Sequence, residues 1–175
     1  MRSGDRAGER GDGLAAPGEA ASGGTGAEAR LALRVADSDD LAVLASVLQD
    51  AVVAIGDMRY VASEKLFIML ASRFRWEAAL DDEAEDAAHD VYERIHCGVA
   101  FEAVEGVKVR GIDLKDRSQY LDLLTLRAEE EGVVLTFAGG AAIRLDAPRI
   151  SCHMRDMGEP WPTPNRPEHQ APEGA

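Results

Sequence analysis

The sequence is poor in the features that most readily betray a function. It has two cysteines in 175 residues, 5% aromatic side chains, and no apolar run near the roughly 18 residues that a membrane span requires. Two cysteines make no disulfide framework. A single bridge is not expected either, since nothing at the start of the chain resembles an export signal: Arg2, Arg6 and Arg10 are interleaved with Asp5, Glu9 and Asp12, with no apolar stretch behind them. The expected location is therefore cytoplasmic. Bases are also scarce, 19 Lys and Arg against 32 Asp and Glu, for a net charge of −13. An acidic chain lacks the footprint behind non-specific nucleic-acid binding and is repelled by anionic lipid, so neither nucleic acid nor membrane is an expected partner.

The familiar chemical signatures are missing too. Gly139-Gly140 is followed by no helix bearing Lys-Ser or Lys-Thr, and it reads as a hairpin turn. There is no Gly-x-Ser-x-Gly elbow, no His-Glu-x-x-His, no Cys-x-x-Cys and no calcium-loop pattern. No nucleophile sits beside a positioned base. The reading leans away from an enzyme and calls for no cofactor.

What is present is an ordinary globular composition, 46% apolar and 29% charged, at a length that suits one domain with tails. Residues 1–29, rich in Gly and Ala and lacking any aromatic or β-branched apolar residue, are expected to be a disordered tail. Residues 30–157 are expected to form the domain. Residues 158–175, with five prolines, should be an extended tail on which Trp161 could dock. Inside the domain, Asp37 or Ser38 offers an N-cap, and Leu41, Leu44, Ala45, Leu48 and Val52 recur at helical spacing, giving one amphipathic helix ending near Asp50.

The rest reads as strands: 31–35, 52–61 broken at Gly56, 66–76, 91–104, 107–112, 120–128, 133–137, 141–145 and 150–154. Their short connections require antiparallel neighbours. The predicted fold is α+β: a mostly antiparallel meander of about eight strands, forming a curved sheet or open barrel with the helix near its N-terminus.

His96-Cys97 and Cys152-His153 suggest a zinc site, but adjacent residues of a strand point to opposite faces. Cys97 aligns with Ile95, Val99 and Phe101, and Cys152 with Ile150 and Met154, so both read as small core residues and no metal is expected. From Glu77 to Asp90 seven acids occur without a base, the pattern of a solvated loop. The most unusual string is Arg73-Phe74-Arg75-Trp76-Glu77. Alternation with Leu66, Ile68, Leu70, Phe74 and Trp76 inward would turn Arg73 and Arg75 outward, where paired guanidiniums can grip a carboxylate or phosphate, or pair with acids across the sheet.

Leu48-Gln49-Asp50-Ala51-Val52, Arg73 to Glu77, Arg110-Gly111-Ile112, Phe137 to Leu145, and Asp156-Met157-Gly158 with Trp161 together resemble the bacterial domain-of-unknown-function 2948 family, over about residues 31 to 161. That resemblance implies no assigned activity and supplies no catalytic residue. Two readings follow. One is a non-catalytic module that receives a protein partner by strand addition or charge complementarity. The other is a binder of, or enzyme acting on, a small anionic metabolite, using Arg73, Arg75 and Arg110 with Trp76 as an apolar wall. The oligomeric state is not legible.

Overall fold

The computed structural model describes residues 30–77 and 92–164. The expected N-terminal tail, the acidic run from Asp81 to Asp90 and the end beyond Pro164 lie outside the described residues.

Among the described residues nine strands form one antiparallel sheet: β1 (Ala32–Val35), β2 (Ala51–Val61), β3 (Leu66–Phe74), β4 (Tyr92–Phe101), β5 (Gly106–Arg110), β6 (Tyr120–Glu129), β7 (Gly132–Phe137), β8 (Ala142–Asp146) and β9 (Cys152–Thr163). Their order is β1-β9-β4-β3-β2-β6-β7-β8-β5, with no pairing between the two ends among the described residues, so the sheet is not closed into a barrel. It is also not one continuous meander. Two three-strand meanders, β2-β3-β4 and β6-β7-β8, are joined through β2 and β6, while β9 returns to lie between β4 and β1. One face of the sheet supplies Val53, Met69, Cys97, Leu123, Leu135, Leu145 and Met154 to a single buried cluster. With one α-helix among the described residues to cover it, such a sheet must bend to bury that face against itself.

The helix α1 (Ser38–Val47) is held at its start by a reciprocal cap. The Asp37 carboxylate accepts from the backbone N–H groups of Asp39 and Asp40 at 3.0 and 2.9 Å, and Asp40 accepts from Ala36 N–H at 3.0 Å. Leu41, Leu44 and Leu48 are buried, and α1 packs on β6 and β1. The left-handed Asp50, at φ 59°, turns the chain into β2.

Two strands differ from the sequence reading. Gly56 does not break β2; the strand continues past it with a register shift against β3 between Val53 and Met58. Among the described residues the first half of β2 pairs with both β3 and β6, and the second half with β3 alone. The last strand continues beyond Met154, and the expected tail from Gly158 begins as sheet: Trp161 pairs with Arg94 and Thr163 with Tyr92. The physical reason lies in the neighbours. β1 begins at Ala32, level with Arg155, so among the described residues β9 has no neighbour on that side from Met157 onward. Pro160 and Pro162 are tolerated there, since an edge strand has a side where no N–H is needed.

Candidate functional site

Expected to face outward, Arg73 is fully buried. β3 carries apolar residues at both parities, and the parity that faces the core is Phe67, Met69, Ala71 and Arg73; Leu66, Ile68 and Leu70 lie on the outer face, with Ile68 36% exposed. A charge can occupy the core side only if every hydrogen-bonding group finds a partner. Arg73 meets that condition. Its Nε and Nη2 donate to Oδ1 and Oδ2 of Asp156, both at 2.8 Å. Nη2 and Nη1 donate to Oε1 and Oε2 of Glu77 at 2.6 and 3.1 Å, and Nη1 also donates to the Phe74 carbonyl at 3.2 Å. These five bonds match the five N–H groups of a guanidinium. Asp156, buried on β9, also accepts from Leu31 N–H at 2.8 Å and donates its own N–H to Leu31 O at 2.9 Å, tying the chain ahead of β1 to the cluster.

Burial pulls the Arg73 pKa down, but the hydrogen bonds and charges of Asp156 and Glu77 outweigh it and hold the group above its ordinary value. Glu77 shows the converse balance. Burial raises its pKa, yet the bonds from Arg73 and the nearby Arg75 charge leave it below the usual carboxylate range.

Arg75 is also buried, with its main-chain N–H on Glu93 O at 2.9 Å and its Nη1 on the Glu93 carboxylate. Phe74 packs in a tilted arrangement against Trp76 and Tyr92, with ring centroids 4.4 and 5.7 Å away. Arg94 reaches from β4 to the carbonyls of Ser72 and Asp50 at 2.9 and 3.3 Å; burial lowers its pKa against the pull of Asp122 and Asp50. Arg73, Arg75 and Trp76 are therefore brought together. Arg110 is not: it is exposed at the end of β5, the strand at the far edge of the sheet.

Cys97 and Cys152 are buried free thiols, on the faces that alternation assigned them, and burial pushes each pKa up to about 12. No group of three or more potential metal ligands occurs among the described residues. No helix among them is long and apolar enough to cross a membrane.

Sequence reasoning did not anticipate a second feature. Beyond the part of β2 that pairs with β6, the second half of β2 lies across an apolar cleft of about 290 Å³ from β5. Ile55, Phe67 and Ile143 form a buried floor, while Val109 and Leu114 stand on the rim, 37% and 58% exposed. Arg59 and Arg117 supply the charged lining. Arg117 is fixed there: its Nη2 donates to Gly56 O at 2.8 Å and its carbonyl accepts Gly56 N–H at 3.0 Å. A Cβ at position 56 would lie 3.0 Å from that carbonyl oxygen, which favours glycine. The signal available in sequence was this glycine together with the apolar spacing of Val107, Val109, Ile112 and Leu114. It could not say that β2 and β5 face one another.

These features define an open, single-sheet antiparallel β domain, fastened internally by a buried ion cluster and gapped by an apolar cleft. Over residues 31–169 the chain matches the family described as "Protein of unknown function (DUF2948)", and it belongs to that family. No curated protein and no solved structure matches it.

Proposed function

We propose that the protein is a non-catalytic interaction module that receives an extended segment of a partner protein in the cleft between β2 and β5. The observation that carries this reading is the gap between two strand edges: among the described residues β5 pairs with β8 alone, residues 58–61 of β2 pair with β3 alone, and apolar side chains line the space between. An added strand would satisfy main-chain groups of β5 while placing alternate side chains in the cleft. β5 is short and carries Lys108 and Arg110, features that discourage an edge from pairing with copies of itself while leaving it open to a partner of suitable charge.

The alternative of a small anion on the arginine face requires Arg73 to exchange Asp156 or Glu77 for the ligand, stranding a carboxylate. Occupying the cleft breaks no such bond. The test is a peptide-display selection on the full chain, followed by amide NMR titration with the selected peptide. Shifts confined to 57–61 and 106–119, with newly protected amides on β5, are expected. Selection of nothing, or shifts centred on Ile68, Leu70 and Met157 of the outer face, would refute the proposal.

A further inference from the structure

We infer that the segment received by the cleft alternates apolar and acidic residues; this rests on the cleft reading above and adds the chemistry of the partner. An extended strand presents side chains to opposite faces by turns, so a segment whose apolar parity fills the floor over Ile55, Phe67 and Ile143 turns its other parity toward the rim. The charged residues lining the cleft are Arg59 and Arg117, and the segments that border it reverse the molecule's balance of charge. Across 57–61 and 106–119 there are five bases, Arg59, Lys108, Arg110, Lys115 and Arg117, against three acids, in a chain where acids outnumber bases 32 to 19.

Two of those three acids are engaged in the loop: Asp113 accepts from Lys115 N–H at 2.9 Å, and Asp116 from the N–H and Oγ of Ser118 at 3.2 and 2.7 Å. Lys108 is paired with Asp146 at 2.8 Å, so the attraction comes chiefly from Arg59, Arg110 and Arg117. At physiological salt exposed charges are largely screened beyond about 8 Å, so the acidic surface further away opposes this attraction only weakly.

The experiment uses the full chain and two fluorescein-labelled octapeptides, one alternating valine with glutamate, the other valine with lysine, with binding read by anisotropy and located by amide NMR. The glutamate peptide is expected to bind about tenfold tighter, a ratio that a few rim ion pairs supply, with the advantage shrinking as salt rises and falling several-fold in Arg59→Gln. Because the comparison is made on the unaltered protein, it does not depend on any variant folding. Equal binding of both peptides at the cleft, or preference for lysine, overturns the inference and leaves the cleft reading standing. If neither peptide moves the amides of 106–119, both fall. Octanoate saturating those amides while neither peptide does would assign the cleft to a small amphipathic anion and overturn the inference as well.

Discussion

The Arg73 guanidinium and the Asp156 carboxylate meet across an intervening strand. Arg73 is level with Ile95 of β4, and Asp156 is level with Cys97 of the same strand, so the bidentate pair straddles β4 on its core side. It links β3, β4 and β9 by a route independent of the strand ladders. Through Leu31 it also reaches β1, and through Glu77 the short segment after β3.

Removing one partner of this pair should cost far more than removing both. Asp156→Ala leaves a buried cation with Glu77 as its remaining counter-charge, and we expect a loss of about 3 kcal/mol in denaturant unfolding, the lower end for broken buried pairs. The double replacement Arg73→Met with Asp156→Leu should recover most of it, because neither side chain then needs a partner. A cost below about 1 kcal/mol for Asp156→Ala would show that water reaches the pair.

This pair also shows where the sequence was legible and where it was not. Around the two cysteines the larger apolar residues keep to one parity, Ile95, Val99 and Phe101 with Cys97 and Met154 with Cys152, so their burial followed from alternation. In β3, Leu66 to Ala71 are apolar at both parities, leaving the charge of Arg73 as the only guide to orientation. That guide pointed outward, because nothing local announces an acid 83 residues away that can satisfy a guanidinium. The antiparallel class was legible from connection lengths. The strand order was not, since the return of β9 to β4 and the facing of β2 and β5 are set by non-local pairings that leave no periodic trace. Arg110 resembled its fellow arginines in type but stands on β5, an end strand of the sheet, while Arg73 lies on the interior strand β3.

Acid should destabilise the protein through identifiable carboxylates. Glu77 sits below its ordinary value of 4.5 because of Arg73, and Asp146 below 3.8 because Lys108 and Arg144 donate to it. Depressed folded values mean that the unfolded state binds protons first as pH falls, so this stability is complete above the ordinary values and is lost as pH drops through the folded ones. The melting temperature should be level from pH 7 to about 5 and decline below about 4.5. In Glu77→Gln the acid decline should be shallower; an unchanged decline would place the titrating groups elsewhere.

Both thiols should be inert in the native state. With pKa values pushed up to about 12, almost no thiolate exists at neutral pH, and neither sulfur is exposed. Reaction with a disulfide reagent should wait on unfolding, its rate rising with denaturant in step with the loss of structure. Fast reaction of one equivalent in native buffer would contradict the burial. Cys97→Ser should cost about 1 to 3 kcal/mol, since a hydroxyl would replace the thiol among apolar neighbours.

Two glycines should respond to alanine for different reasons. At Gly132 a Cβ would lie 2.4 Å from the carbonyl oxygen of Leu145 on the adjoining strand, an approach the β7–β8 backbone must yield to relieve. At Gly139 nothing lies within 4 Å, but φ is +73°. Gly132→Ala should cost about 3 kcal/mol by overpacking, and Gly139→Ala about 1 kcal/mol by backbone strain alone. Chemical denaturation gives the order; if Gly139→Ala were the worse, close backbone approach would not be what reserves position 132 for glycine.

The cleft rim should separate folding from binding. Leu114 and Val109 are 58% and 37% exposed, so neither contributes much buried area, and substitutions at such positions ordinarily change stability by about 0.5 kcal/mol or less. Both nevertheless line the cleft, where an aspartate would place a carboxylate against the apolar lining and repel the acidic parity of the proposed partner. Leu114→Asp is therefore expected to melt within about two degrees of the parent while its affinity for the valine-glutamate peptide falls about tenfold. The other outcome also has a plain meaning. If Leu114→Asp lowers the melting temperature steeply, loop 111–119 is a cover that seals Ile55, Phe67 and Ile143 from water, and the cleft belongs to the core instead of to a partner.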